Sequence, residues 1–320
     1  MTQVNPQAGQ VVPSTALAAP ATSDAGTTGR TSSPNRMSRG RWFREVGWRY
    51  IVGVVAIVYA IIPILYILSA SLNPTGSVSS SSILPRAFSL ENYFSLFGNP
   101  SFPFPLWFLN TIIVATVVVG VSIFCSALGA YAFSRFRFRG RRGSLFALLL
   151  VQMFPQFLAA AALFTIFTSV GAVAPFIGLD TLAGYTIVLL GGALGQVWLI
   201  KGFFDSIPRE LDEAAVMDGA THTQIYFKII LPLVRPILAV TGLLAFVGAI
   251  GEFILASIFL RDTNVKTVAV GLYGLLDSDR TNNLGVFAAA AVLTSIPVVL
   301  LFQYLQRYIV GGITAGSVKG

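Results

Sequence analysis

Six long apolar runs, separated by polar segments, form the pattern of hydrophobic and polar positions along this chain. Each run is long enough for a helix to cross a hydrocarbon core about 30 Å thick, which takes roughly 20 residues. The runs lack the alternation of a half-buried strand, and only helices or closed barrels satisfy their backbone in lipid. We therefore predict six transmembrane helices, near residues 50–71, 109–134, 145–169, 183–204, 237–260 and 286–308.

Composition agrees with an all-α polytopic membrane protein. Hydrophobic residues make up 55% of the 320 residues and charged residues only 11%, which is unusual for a soluble domain. Residues 1–45 are rich in Ala, Pro, Ser, Thr and Gly and have no apolar core, so we predict a disordered tail. We predict a transmembrane domain over residues 46–310 and a short C-terminal tail over residues 311–320.

The distribution of basic residues predicts how the spans are oriented. The net charge is +8, but all except four of the 21 Lys and Arg residues lie on one side, at the termini or in alternate connections. By the positive-inside rule this side is cytoplasmic. We therefore predict that both termini are cytoplasmic, and we attribute the basic excess to topology rather than to nucleic-acid binding.

The residue inventory excludes several kinds of catalytic protein. No G-x-x-x-x-G-K sequence is present, so the chain has no P-loop to hold ATP phosphates. His222 is the only histidine and Cys125 the only cysteine, which leaves almost no catalytic constellation for a membrane enzyme. A secondary transporter would need an ion relay within the membrane, for which the single acid Glu252 is thin support.

One polar insert, DEAAVMDGATHTQIYFKIILP over residues 212–232, separates the fourth and fifth spans. Its acidic start favours a helix N-terminus, and Gly219 can adopt the left-handed conformation that ends a helix. Thr221 and Gln224 have the spacing of a capping box for a second helix, which should end near Pro232. From the residues alone, the insert is either an interfacial helix that joins two spans or a docking surface.

The insert also contains the complete signature E-A-A-x3-G-x9-I-x-L-P. The matching residues are Glu213, Ala214, Ala215, Gly219, Ile229, Leu231 and Pro232. On these residues, the chain resembles the membrane subunits of binding-protein-dependent ABC importers. The resemblance implies a type I ABC importer permease fold, in which the helix before the glycine is a coupling helix that docks on a separate ATPase subunit. It implies that Glu213 makes a polar contact, that the two alanines permit close approach, and that Gly219 forms the turn.

Three further stretches resemble the G-type membrane subunit of the maltose importer: residues 253–276, residues 287–298 and the ending GITAGSVKG. This resemblance implies ATP-driven uptake of maltose or maltodextrin-like oligosaccharides across a bacterial cell membrane, with trehalose as an alternative sugar. The implied partners are an F-type second permease subunit, two ATPase subunits and an extracytoplasmic sugar-binding protein. ATP and Mg²⁺ would be bound by the ATPase subunits, and no cofactor by this chain.

The C-terminal tail contains Thr314, Gly316 and Lys319. In the resembling subunit this tail reaches toward the interface between the ATPase subunits, whereas a frayed terminus is the alternative interpretation.

Two other positions have competing interpretations. Tyr273 and Gly274 lie near the predicted tip of an outer loop over residues 262–284, which faces the binding protein in the resembling subunit. A solvated connection is the alternative for this loop. Glu252, inside the fifth predicted span, either lines the translocation path or makes an interhelical hydrogen bond.

Overall fold

The computed structural model describes residues 40, 43–73, 88–278 and 280–317, and in this part of the chain the regular elements are all helices. Helices α1 to α6 cover Trp48–Leu72, Glu91–Gly98, Phe104–Arg135, Arg141–Met153, Gln156–Val173 and Leu182–Leu190. Helices α7 to α13 cover Val197–Asp205, Glu210–Met217, His222–Leu233, Arg235–Ile250, Ile254–Phe259, Val268–Ser278 and Arg280–Ser317. Most of the predicted N-terminal tail, residues 1–39, lies outside the described residues, as does Lys319.

Two compact units divide the chain after Ala56. In the smaller unit, a π-helical turn over Phe43–Gly47 leads into α1, so the predicted tail extends a few residues too far. The guanidinium of Arg49 lies 5.8 Å from the ring centroid of Trp48 in the same unit. The packing described below lies within the larger unit.

Only some of the predicted spans are single helices. By length and composition, α1, α3 and α13 can each cross a membrane, and two bent pairs, α4 with α5 and α9 with α10, have the composition of a broken span. The predicted span 183–204 is two nine-residue helices, α6 and α7, separated by turns that contain three glycines. The predicted span 237–260 is likewise split into α10 and α11. The predicted helices are interrupted at Pro155, which has no backbone N–H to donate. They are also interrupted at glycines, which allow the backbone to leave the helical conformation.

Helix α3 organises the larger unit because α2, α6, α7, α10 and α12 all pack along it. Three clusters of buried residues follow its length, one near its first turn, one at its middle and one at its last turns. The buried residues that α3 contributes to them are Phe104, Trp107, Val114, Val118, Ala130 and Tyr131. Most of the larger unit therefore packs on α3, either directly or through these clusters.

Side chains in the first turns of α3 hold the loop that precedes α12. Trp107 Nε1 donates to the carbonyl of Thr263 at 2.7 Å. Asn110 Nδ2 donates to the carbonyls of Asn264 and Lys266 at 2.9 and 3.1 Å. Thr111 Oγ1 accepts from the amide of Val268 at 2.8 Å. Each of these bonds satisfies a backbone group that has no partner within a helix. The loop is consequently fixed to the end of α3 that is farthest from the polar insert.

Close packing of α12 on the Trp107 ring predicts a matched pair of glycine substitutions. A Cβ at Gly271 would clash with the ring of Trp107, whereas a Cβ at Gly274 in the same helix meets nothing within 4 Å. We expect Gly271→Ala to destabilise the protein by about 1–3 kcal/mol, because the ring is held by its hydrogen bond to Thr263. Gly274→Ala should be neutral or slightly stabilising. Thermal unfolding of both variants in detergent measures the difference, and equal midpoints would contradict this packing.

Candidate functional site

Helix α8 is a short helix with an exposed outer face. Three acidic residues, Glu210, Asp212 and Glu213, lie in its first turn, where they favour the positive end of the helix dipole. Glu213 and Ala214 are exposed. Three apolar side chains are exposed beside them, Leu211, Val216 and Met217, the last with 86% of its surface accessible. A small apolar surface with a carboxylate at its edge therefore projects from this end of the protein.

A tight turn fixes where α8 ends. Gly219 has φ of +79°, the left-handed conformation that a residue with a side chain adopts only with strain. The amide of Gly219 donates to the carbonyl of Val216, and the amide of Ala220 donates to the carbonyl of Ala215, both at 2.9 Å. These two bonds form a Schellman motif. The predicted role of Gly219 in the turn is thus consistent with its backbone conformation.

The second helix of the insert, α9, begins with the predicted capping box. Thr221 Oγ1 accepts from the amide of Gln224 at 3.3 Å, and Gln224 Oε1 accepts from the amide of Thr221 at 2.9 Å. His222 is the first residue of this helix and is exposed, and its ring packs edge-on against Phe136. A π-helical stretch, Ile225–Ile230, follows, and α9 continues through Pro232 to Leu233.

Several signature residues face the interior of the chain rather than a partner. Ala215 is only 6% exposed and packs in the cluster at the end of α3, where Tyr131 and Tyr226 also lie. Ile229 and Leu231 are half-buried against the same cluster. Ala215 therefore lies against its own chain, where α8 needs a small side chain. Ala214 stays exposed.

A cavity of about 520 Å³ lies between α8, α9 and the end of α3. Its lining combines opposite charges with apolar residues, and the charged members are Arg135, Arg209, Asp212 and Glu213. Arg135 Nε and Asp212 Oδ2 form an ion pair at 2.7 Å. Helix α8 is therefore joined electrostatically to α3, and not only to its neighbours along the chain.

Glu252 occupies the break between α10 and α11. Its Oε1 accepts from the amide of Leu255 at 2.8 Å, and its Oε2 accepts from the amide of Ala256 at 2.9 Å and from the hydroxyl of Tyr185 at 2.6 Å. The first two bonds satisfy backbone amides at the start of α11. The third bond connects Glu252 to α6. Of the two predicted roles, the structure contains the interhelical hydrogen bond.

The remaining predicted positions lie in helices. Tyr273 and Gly274 are inside α12, so the predicted outer loop is helical over Val268–Ser278 and these residues are not at a loop tip. The reason is that Val268 begins a helix that packs its apolar side on α3 and α13. Thr314 and Gly316 belong to α13, which extends to Ser317, so the predicted tail begins later than residue 311.

Residues 122–314 match the family described as "Binding-protein-dependent transport system inner membrane component". This range contains α8, its turn and α9. The chain belongs to this family, whose members are membrane components of binding-protein-dependent transport systems. It is a multi-pass permease component and not an enzyme.

Similar proteins refine this assignment. The maltose/maltodextrin transport system permease protein MalG of Yersinia pestis is 42% identical over 270 residues, covering 81% of this chain and 88% of that protein. The galactooligosaccharides transport system permease protein GanQ of Bacillus subtilis is 39% identical over 274 residues, covering 85% and 94%. A chain in the crystal structure of a bacterial ABC transporter involved in the import of the acidic polysaccharide alginate has a TM-score of 0.67 and 27% identity, and the match covers 85% of this chain and 98% of that one. The predicted ABC importer permease fold is confirmed.

Sequence reasoning missed part of the site. Val216 and Met217 occupy unspecified positions of the signature, yet they supply much of the exposed apolar surface of α8. Arg135 and Arg209 were interpreted only as topology signals, although both line the cavity. The sequence did mark the position of Arg135, because it is the first charged residue after a long apolar run.

The Tyr185–Glu252 bond predicts a coupled loss of stability. We expect Tyr185→Phe and Glu252→Gln each to destabilise the protein by about 1.5–3 kcal/mol, because each weakens a hydrogen bond to a carboxylate. The double variant should lose less than the sum. Thr186→Val is the matched control, since the Thr186 hydroxyl bonds only to Leu182 within α6. Thermal unfolding midpoints in detergent, measured for the native protein, both single variants and the double variant, give these losses. If the loss in the double variant equalled the sum of the single losses, a direct bond between Tyr185 and Glu252 would be contradicted.

Proposed function

We propose that this chain is one membrane subunit of an ATP-driven ABC importer for maltose or maltodextrin-like oligosaccharides. In this proposal, it forms half of the translocation path together with an F-type second permease subunit. Two ATPase subunits bind ATP and Mg²⁺ in the cytoplasm, where both termini of this chain also lie. An extracytoplasmic sugar-binding protein delivers the sugar on the opposite side, and Tyr273 and Gly274 on α12 belong to the surface that faces it.

The observation that carries the proposal is the geometry of α8. The helix is short, its end is fixed by the Schellman turn, and Glu213, Ala214 and Met217 are exposed on it, with Glu213 and Met217 also lining the cavity beside α3. An apolar surface with one charged group suits docking in a cleft of another protein. In the proposed cycle, closure of the ATPase subunits moves α8, and this movement switches the path between its inward- and outward-facing states.

The substrate class follows from the relatives. Their printed names refer to maltose or maltodextrin in one case and to galactooligosaccharides in another, and the similar structure is an alginate importer. The substrates in all three names are oligosaccharides or polysaccharides. We place this chain with the maltodextrin type, and we keep trehalose as an alternative sugar.

A secondary transporter based on Glu252 is not favoured. Both oxygens of its carboxylate accept hydrogen bonds from the chain itself, which suits a helix cap better than an ion relay. The C-terminal residues Thr314, Gly316 and Lys319 remain in the proposal as part of the surface toward the ATPase subunits.

The turn after α8 predicts an outcome for the complete transporter in proteoliposomes. Gly219→Val places a β-branched residue at positive φ, which costs about 1–2 kcal/mol and should lower the ratio of native to non-native turn conformations roughly tenfold. ATP-dependent uptake of labelled maltose and maltotriose should fall, because the end of α8 is then less firmly fixed.

The matched control is Gly202→Val. Gly202 is also exposed, its Cβ would meet nothing within 4 Å, and it lies inside α7 with helical backbone. This variant should transport normally. Labelled trehalose and a galactooligosaccharide, assayed in parallel, identify the preferred sugar. Undiminished uptake with Gly219→Val would contradict the coupling role, and uptake driven by a proton gradient without ATP would contradict the importer class.

A further inference from the structure

Hydrogen bonds join the end of α3 to the segment that leads into α8, and each of the two elements donates one to the other. Arg135 Nη2 donates to the carbonyl of Ile207 at 3.1 Å, and Arg209 Nη2 donates to the carbonyl of Ser134 at 3.0 Å. Each arginine thus binds the backbone of the other element. We name these two bonds, together with the Arg135–Asp212 ion pair, the arginine clamp.

The ion pair in this clamp is largely removed from solvent. The side chain of Arg135 is 7% exposed and that of Asp212 is 19% exposed. Both carboxylate oxygens of Asp212 are buried, and within the described residues they accept no well-aligned hydrogen bond. The charge of Arg135 is therefore the main compensation for burying this carboxylate. Separating the two groups is strongly opposed, because an unpaired buried charge is much less stable than a paired one.

A second contact extends the connection to α7. Ser134 Oγ donates to Asp205 Oδ1 at 2.6 Å, and Asp205 Oδ2 accepts from Lys201 Nζ at 2.5 Å. Ser134 is fully buried. The end of α3 is consequently bonded to residues before α8 as well as within it.

We propose that Arg135 is a positioning residue of the transport cycle, which holds α8 on α3 so that both move together. This inference rests on the proposed function, because it takes α8 as the docking helix for the ATPase subunits. Along the chain, α8 connects directly only to α7 and α9, whereas the clamp adds a helix about 75 residues earlier in the sequence. Since α3 contributes to all three buried clusters, a movement of α3 would be passed to each of them.

The test uses the complete reconstituted transporter and three clamp variants. Arg135→Gln removes the cation, Asp212→Asn removes the anion with little change in shape, and the double variant Arg135→Asp with Asp212→Arg reverses the pair. The matched control is Lys201→Gln, because the ion pair of Lys201 with Asp205 lies inside α7, and the bond that joins Asp205 to α3 is donated by Ser134 and stays in place. ATP hydrolysis, sugar uptake and bound ATPase subunit are measured on the same vesicles.

We expect both single variants to retain the ATPase subunits and to hydrolyse ATP at close to the native rate. Sugar uptake per ATP hydrolysed should fall about tenfold, since docking remains while the connection to α3 is weakened. The charge-reversed double variant should recover part of this ratio, and the Lys201→Gln control should keep the native ratio.

A native ratio in both single variants would overturn the inference. Loss of bound ATPase subunits in both, without recovery of the ratio in the double variant, would also overturn it, because the pair would then serve only assembly. The native complex provides the separate test of the proposed function. If the native complex takes up none of the sugars with ATP, the proposed function fails whatever the variants do.

Discussion

Backbone groups freed at helix breaks must find partners inside a chain that lies in lipid, and the fold depends on the side chains that supply them. Asn92 donates to the carbonyls of Ser71 and Asn73 at the end of α1, and Thr181 accepts from the amide of Gly184 at the start of α6. Glu252 does the same for α11. These residues explain how a hydrophobic chain keeps so many interrupted helices. The interruptions in turn allow several short helices to pack along α3.

Side-chain contacts on its inner face explain how α8 can be both exposed and firmly held. Its outer face carries few contacts within the chain, as a docking surface requires, while Ala215 and the clamp residues fix its inner face. The short helix is thus bonded to α3 on one side even though its other side is exposed. A loop that was flexible at this point would absorb a displacement imposed by a partner instead of passing it on.

Local signals in the sequence predicted the insert well. The capping box of Thr221 and Gln224 and the left-handed Gly219 were readable because they depend on residues only a few positions apart. Span continuity was less predictable, since hydropathy averages over a window and does not register the turns between α6 and α7. The burial of Ala215 could not be read from the signature either. It depends on Tyr226 and on the end of α3, which are distant in sequence and meet only in the folded chain.

The arginine clamp shows a similar limit. Arg135 and Asp212 are separated by two complete predicted spans, and single-sequence patterns carry no information about such pairs. Charge patterning assigned Arg135 to topology, which is compatible with its position but omits its partner. A basic residue directly after a long apolar run and an acid directly before the signature were both visible, and only packing brings them together.

The most direct test of the account is site-specific cross-linking from α8 in native membranes. Met217→Cys, in a Cys125→Ser background, places a thiol on the most exposed part of α8, and Tyr273→Cys places one on α12 at the opposite end of α3. The account predicts a cross-link from position 217, and not from position 273, to the ATPase subunit. A complex that retains its ATPase subunit but cross-links only from position 273, or from neither position, would contradict α8 as the docking helix.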